Sequence, residues 1–299
     1  MIADEARKIG DNSIVNSQEC KKRKFINKTK VKRFLCSFPF YLIIFIFIAF
    51  VLGITATVII GCFSLEWRNT LLPKTWTFYY LKEAWKTYNI GHYYIVSLKI
   101  IVGATFMSLV CSIPTAYVMA RKNMKFKSLL DQFFRLPILL PELIIGIPLA
   151  VIFYSIGLAE TYIGVVSILM IIGIPFGLSV LIPFIESLDS RVEVAAYSLG
   201  ANNLKVFTKI IIPQLVPGVV TTMINVFVRL FTNYTLLLLV GGTSTYTLTI
   251  KVFNVLQNAR SEPQALLNSL TVYYMIPMLG FTLLTLICQK ALKRRFGER

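Results

Sequence analysis

The amino-acid sequence predicts an all-α integral membrane protein with six transmembrane helices, and three observations support this fold class. Hydrophobic residues make up 56% of the 299 residues and charged residues only 15%, whereas a soluble domain has about 25% charged residues. Six segments are apolar over the roughly 20 residues that a membrane-spanning helix requires. Basic residues cluster beside these segments, which is how membrane proteins fix their orientation.

The six predicted spans follow one another along most of the chain. They cover residues 38–63, 94–120, 129–156, 162–185, 219–240 and 266–292. Several contain proline or glycine, which membrane helices tolerate because neighbouring groups satisfy the freed backbone donors and acceptors. The predicted transmembrane domain is therefore 37–292, between a basic N-terminal tail, 1–36, and a basic C-terminal tail, 293–299. Two further interfacial helices are expected, over about 79–88 and 247–258.

The distribution of lysine and arginine predicts that both termini are cytoplasmic. With the N-terminus inside, 22 of the 31 basic residues lie on the inner side and 6 in the outer loops, the asymmetry typical of membrane proteins. The net charge is +17, but no aromatic-basic stacking motif accompanies it, so nucleic-acid binding is not expected. The basic tail is suited to anionic membrane lipid instead. We expect a multi-pass protein of a bacterial cytoplasmic (inner) membrane.

Residues 187–217, called the 187–217 loop from here on, connect spans four and five and are too polar to cross a bilayer. Ser190 and Glu193 fit a capping box for a short helix over about 191–199. Gly200 then permits a backbone turn that a side chain would resist. The first half of the loop is therefore expected to be a short helix that ends in a tight turn.

A second short helix is predicted in the other half of the loop. Asn202 or Asn203 can cap it, and Phe207 belongs to its apolar face. Pro213 and Pro217 are expected to end this helix before span five. The result is a helix-turn-helix bracket on the cytoplasmic face of the membrane.

Small residues in the bracket leave room for another surface to approach closely. They are Ala195, Ala196, Gly200 and Ala201. Two interpretations stay open on physical grounds, because the bracket can either receive a partner protein or pack only on its own spans.

The spacing within the bracket resembles the EAA loop of permease subunits of ATP-binding-cassette (ABC) importers, roughly EAA, three residues, glycine, nine residues and I-x-L-P. This chain has Ala195 and Ala196, then Gly200, and nine further residues before the run that ends in Pro213. Val194 departs from the pattern, because it stands at the usual glutamate position with Glu193 one residue earlier. The chain after the N-terminal tail looks closest to the spermidine/putrescine, ferric-iron and aminoethylphosphonate branch.

The resemblance implies a type I ABC importer permease (MetI-like) architecture and a set of partners. Two ATP-binding subunits would dock on the 187–217 loop, a second permease subunit, homologous or identical, would complete the pathway, and an extracytoplasmic binding protein would deliver substrate. The implied docking residues are Glu193, Ala195, Ala196, Gly200, Ala201, Asn202, Lys205, Phe207 and Pro213.

The chain itself is not expected to be an enzyme. It has no GxxxxGK[ST] loop to hold nucleotide phosphates, so ATP hydrolysis belongs to the partner, and no catalytic residue, cofactor or metal site is predicted. The alternative function is a stand-alone secondary transporter or channel, which is less favoured because six spans show no evident internal repeat.

Two charged residues lie deep within predicted spans, where ionisable groups are costly and often functional. Glu142 in span three and Arg229 in span five are at comparable depth, so they either pair, line the pathway or contact substrate. Asn225, Arg229 and Asn233 follow one another at intervals of four residues, which places them on one helix face. We expect these four residues in the translocation pathway, with a polyamine-type substrate, and less so aminoethylphosphonate or ferric iron.

Overall fold

The structure, a computed structural model, describes most of the chain after the N-terminal tail. The predicted tail over 1–36 lies outside the described residues, as do 297–299 of the predicted C-terminal tail. Described are residues 40–296 except 66, 68, 69, 71, 123, 124 and 259–261.

The chain divides into two compact units, Met1–Val58 and Ile59–Arg299. Helix α1 runs from Phe40 to Cys62, so most of it belongs to the first unit. Its residues are almost entirely aliphatic or aromatic, which confirms the first predicted span.

The second unit is built mainly from helices. They are α2 (Tyr79–Thr87), α3 (Ile90–Arg121), α4 (Lys127–Leu139), α5 (Glu142–Ser155), α6 (Tyr162–Glu186), α7 (Arg191–Ser198), α8 (Asn203–Val206), α9 (Ile212–Phe231), α10 (Thr235–Val240), α11 (Leu248–Gln257) and α12 (Gln264–Phe296). Within the described part of the chain, five helices are long and apolar enough to cross a membrane, or six if α4 and α5 form one bent span. The predicted fold class is confirmed, and α2 and α11 are helices at the two positions predicted for interfacial helices.

Helices α3, α6 and α9 form the centre of the second unit. Their contacts depend on small residues, because membrane helices approach closely where side chains are small. A Cβ atom on Gly173 or Gly177 of α6 would overlap Ser108 or Ser112 of α3, and one on Gly218 of α9 would overlap the Phe184 ring. These close contacts fix how the ends of α3 and α9 are placed beside the 187–217 loop.

The third predicted span differs from the structure, because α4 and α5 are bent by 96° at a short break. Leu140 is extended, with φ −83° and ψ 143°, as expected for a residue that precedes proline. Pro141 follows it as the N-cap of α5. The bend places Glu142 in the first turn of a new helix instead of the middle of a straight span.

The fifth predicted span is wrong at both ends. A single helix of 29 residues runs from Asn203 to Phe231, so Pro213 and Pro217 do not stop it. A π-helical turn over Phe207–Ile211 joins α8 to α9, and the Ile212 N–H bonds to the Phe207 carbonyl. This wider turn lets Pro213 enter in the first turn of α9, where a missing N–H costs little.

The Glu142–Arg229 pair and the 187–217 loop as candidate functional sites

Helix α7 of the 187–217 loop begins as predicted at Arg191 but with a different cap. The Asp189 Oδ1 atom accepts a hydrogen bond of 2.9 Å from the Arg191 N–H, while the Ser190 side chain makes no capping bond. The predicted capping box between Ser190 and Glu193 is therefore wrong. Asp189 performs the capping, and the Glu193 carboxylate is free to bond elsewhere.

Glu193 is only 7% exposed and is bound to the end of α3. Its Oε1 atom accepts from the Arg121 Nε–H at 2.8 Å, and its Oε2 atom accepts from the Tyr117 hydroxyl at 3.0 Å. The Arg121 Nη2 group also donates to the Leu188 carbonyl at 3.0 Å. These bonds fasten α7 to α3, so the carboxylate faces inward rather than toward a partner.

The turn after α7 is a Schellman motif, which satisfies the last carbonyls of a helix through a left-handed residue. Gly200 has φ +80°. The Gly200 N–H bonds to the Tyr197 carbonyl at 2.9 Å, and the Ala201 N–H bonds to the Ala196 carbonyl at 3.1 Å. The predicted glycine turn is confirmed, and it directs the chain back toward the membrane-spanning helices.

The second half of the 187–217 loop, which contains α8, packs on α3. The Asn202 side chain caps α8 by accepting from the Leu204 N–H, as predicted for one of the two asparagines. The Phe207 ring lies 5.2 Å from the Tyr117 ring, centroid to centroid. The loop therefore packs on α3 through an aromatic contact as well as an ion pair.

Of the nine residues predicted to dock a partner, Glu193 and Ala196 are buried, and Ala201 and Phe207 are partly buried. The other five are exposed, namely Ala195, Gly200, Asn202, Lys205 and Pro213. Large apolar side chains also face outward, with Val194 63%, Leu204 69% and Leu199 88% exposed. Such a cluster of exposed apolar residues is typical of an interaction site.

A groove with a volume of about 660 Å³ lies between the end of α3 and the helices α7 and α8. Apolar side chains form much of its wall, among them Val194, Leu204 and Phe207, and Lys122 and Asn203 lie along it. The loop thus presents a concave surface rather than a flat one.

The second candidate site is the pair of charges inside the spans. The Arg229 Nη2 group of α9 bonds to the Glu142 Oε1 atom of α5, and the Arg229 guanidinium lies 4.9 Å from the centroid of the Phe176 ring. Of the alternatives considered for Glu142 and Arg229, the structure therefore shows the ion pair. Glu142 occupies the first turn of α5, where the helix dipole favours a negative charge.

This pair is only partly enclosed. The side chains of Arg229 and Glu142 are 36% and 20% exposed, and the buried Arg229 Nε–H has no partner among the described residues. The guanidinium, which carries five N–H donors, therefore makes one hydrogen bond to the described residues.

The polar stripe predicted on span five is interrupted. Asn225 is exposed and bonds to the Thr221 carbonyl, but α9 ends at Phe231, before Asn233. Asn233 is 1% exposed, and its Oδ1 atom accepts from the Leu236 N–H at 3.1 Å. Asn233 therefore starts α10 instead of extending the stripe.

Sequence reasoning did not identify Tyr117, Arg121 or Phe176 as parts of these sites. Arg121 and its basic neighbours were attributed to membrane orientation, and the two aromatic residues lie in continuous apolar runs. Their partners are far away in sequence, since Arg121 and Glu193 are 72 positions apart. Spacing alone carries no signal for such contacts.

The described residues thus form a helical protein with five candidate membrane spans, or six if α4 and α5 form one bent span, together with the 187–217 loop and the Glu142–Arg229 pair. Residues 112–298 match the sequence model of the family described as "Binding-protein-dependent transport system inner membrane component". Because the match covers more than half of the chain, the protein belongs to this family.

Individual proteins agree with this assignment. The chain is 31% identical to the "Probable sulfate transport system permease protein cysT" of Chlorokybus atmophyticus, over 47% of this chain and 54% of that protein. It is 29% identical to a "Molybdate/tungstate transport system permease protein" of Pyrococcus abyssi, over 44% of this chain and 53% of that protein. The matches thus span about half the length of these curated relatives.

The fold also has a match among solved structures. It is the crystal structure of a bacterial ABC transporter involved in the import of the acidic polysaccharide alginate, with a TM-score of 0.67 and 16% identity. The superposition covers 86% of this chain and 94% of the other. The likeness confirms the predicted ABC importer permease fold.

Proposed function

We propose that this chain is the transmembrane permease subunit of an ABC importer. The observation that carries the proposal is the 187–217 loop, a folded bracket outside the spans that is joined to two of the central helices. The family assignment supports the same function. It favours the importer over the alternative of a stand-alone secondary transporter or channel, and a transport subunit over an enzyme.

The 187–217 loop is connected to two central helices, α9 and α3. These two connections suggest how a movement of the ATP-binding subunits is transmitted to the pathway. One connection is the uninterrupted helix from Asn203 to Phe231, about 43 Å long at 1.5 Å per residue, which carries Arg229 near its far end. The other is the ion pair of Glu193 with Arg121, which joins α7 to α3. In this proposal, closure of two ATP-binding subunits shifts the loop, and α3 and α9 move with it as rigid elements.

The remaining partners and the orientation complete the proposal. A second permease subunit lines the other side of the pathway, an extracytoplasmic binding protein delivers substrate, and lipid surrounds the apolar helices. Both termini are cytoplasmic, in agreement with the excess of lysine and arginine on that side. Glu142, Asn225 and Arg229 line the pathway, and Asn233 positions α10 beside it.

The substrate is proposed to be an inorganic oxyanion of the sulfate or molybdate type. The named relatives support this class, and they give no support to the polyamine-type substrate expected from the sequence. Arg229 is consistent with an oxyanion, because its unused donors suit tetrahedral oxygen groups while Glu142 offsets its charge. A polyamine is itself a cation, so the Arg229 guanidinium would repel it at this point of the pathway.

Reconstitution tests the function. The chain would be co-expressed and co-purified with an ATP-binding subunit and a second permease subunit, and placed in proteoliposomes with a binding protein. We expect ATP-dependent accumulation of sulfate or molybdate and none of spermidine. Accumulation without the ATPase would overturn the importer assignment, and spermidine uptake would overturn only the substrate class. The matched control is the same complex with the ATP-site lysine of the partner changed to alanine.

A further inference from the structure

The acidic residues of the 187–217 loop and of the adjoining end of α6 are all occupied within the chain. Glu186 pairs with Lys127 at 3.3 Å, Asp189 caps α7, and Glu193 pairs with Arg121 at 2.8 Å. Each carboxylate of this segment therefore already has a partner within the chain, and that of Glu193 is also buried.

The basic residues around the groove, in contrast, have no ion-pair partner among the described residues. Lys122, Arg191, Lys205 and Lys209 are exposed, and none of them forms an ion pair with a residue that the structure describes. Lys122 is part of the groove wall, while Arg191 and Lys205 adjoin the wall residues Ser190 and Leu204. Lys122, Arg191 and Lys205, which lie on the wall of the groove or next in sequence to it, are called its basic rim from here on.

We propose that the ATPase subunit meets the 187–217 loop with an acidic surface and places an apolar side chain in the groove. The inference rests on the proposed function and names the chemistry of that partner. The family pattern implies the opposite arrangement of charge, because a glutamate at the position of Val194 would give the loop a negative charge there. Here Val194 supplies an apolar contact, and the charge that steers docking is positive.

The groove favours a protein partner over anionic lipid headgroups, which would also attract lysine. A lipid surface is flat and needs no cavity, whereas the basic residues here border a concave apolar wall. Val194 and Leu204 lie on that wall, and both are more than 60% exposed in this chain. An inserted apolar side chain would cover them.

Substitution at Val194 separates this proposal from the family pattern. The readout is the amount of ATPase retained by the tagged chain in zwitterionic nanodiscs, for Val194→Glu beside the uncharged, similarly shaped Val194→Gln. We expect Val194→Glu to retain about tenfold less ATPase than Val194→Gln, because like charges across an interface are strongly unfavourable. Equal retention, or stronger retention by Val194→Glu, would overturn the proposal.

Charge reversal on the rim provides a second readout. Lys205→Glu is expected to weaken retention about threefold to tenfold near 0.1 M salt and to have little effect near 1 M, where the screening length falls to about 3 Å. Lys86→Glu makes the same charge change on exposed α2, outside the loop, and is the control. An effect of Lys205→Glu that appears only with anionic lipid would assign the rim to the membrane and overturn the proposal.

The two proposals fail in different ways. If the unaltered chain retains no ATPase at any salt concentration, the proposed function is wrong. If it retains the ATPase but neither charge change alters retention in zwitterionic nanodiscs, only the acidic character of the partner surface is wrong.

Discussion

Two arginine–glutamate pairs join distant parts of this chain, and their surroundings differ. In the pair at the 187–217 loop, the side chains of Arg121 and Glu193 are 16% and 9% exposed, and each has a further partner. In the pair within the spans, Arg229 and Glu142 are 36% and 20% exposed, and the Arg229 Nε–H has no partner among the described residues. The pair at the loop is thus more buried and makes more hydrogen bonds than the pair within the spans.

The difference indicates different roles for the same two residue types. A buried pair is costly to break, because removal of one member leaves the other charge buried and uncompensated. A more exposed pair with an unpartnered donor exchanges partners at lower cost. We therefore interpret the Arg121–Glu193 pair as a fixed joint and the Glu142–Arg229 pair as a site where a substrate oxyanion can compete for the arginine.

The largest expected effect comes from breaking the fixed joint. Arg121→Met should destabilise the protein by about 3 kcal/mol, because Glu193 is left buried without its cation. The double change Arg121→Met with Glu193→Met should recover most of that loss. The measurement is thermal unfolding of the purified protein in one detergent.

An exposed ion pair provides the control for that experiment. Lys127→Met removes the pair with Glu186, whose side chains are 38% and 47% exposed, and should cost less than about 1 kcal/mol. If Arg121→Met is no more destabilising than Lys127→Met, the Arg121–Glu193 pair does not stabilise the fold.

A smaller effect is expected from the pair within the spans, and it should appear in transport. Arg229→Ala should lower uptake about tenfold because it leaves Glu142 unpaired and removes the donors for the oxyanion. The double change with Glu142→Ala should be less harmful than Arg229→Ala alone, as expected for directly coupled residues. Uptake in proteoliposomes measures both, at equal amounts of assembled complex.

Additivity would contradict this prediction. A double variant as impaired as the two single effects combined would mean that the residues act independently. Phe176→Leu is a useful comparison, because it removes the aromatic face beneath Arg229 and keeps both charges.

The spans were predictable because hydropathy depends on composition over about 20 residues, and the bilayer imposes that length. The bends were not. Pro141 breaks the third span, whereas Pro213 is accommodated by the π-helical turn before it and Pro217 lies inside a continuous helix. The sequence shows each proline but not whether a neighbouring turn widens to receive it.

The site was predictable where it depends on local backbone geometry. Gly200 and Asn202 fulfil predicted roles because a left-handed turn and a helix cap are made within a few residues. Glu193 was misassigned to a local capping box, because its actual partners, Arg121 and Tyr117, belong to another helix. Long-range contacts decide which polar side chains are structural and which remain free.

The smallest expected effect tests whether the joint or the turn holds the loop in place. Gly200→Ala should cost about 1 kcal/mol, because a residue with a Cβ resists a positive φ, although a Cβ here would meet no atom within 4 Å. Gly200→Asn should cost less, since asparagine adopts this conformation more readily. Thermal unfolding and limited proteolysis of the loop would measure both variants. If Gly200→Ala proves more damaging than Arg121→Met, the Schellman turn rather than the ion pair fixes the loop, and the contrast between the two pairs loses its structural basis.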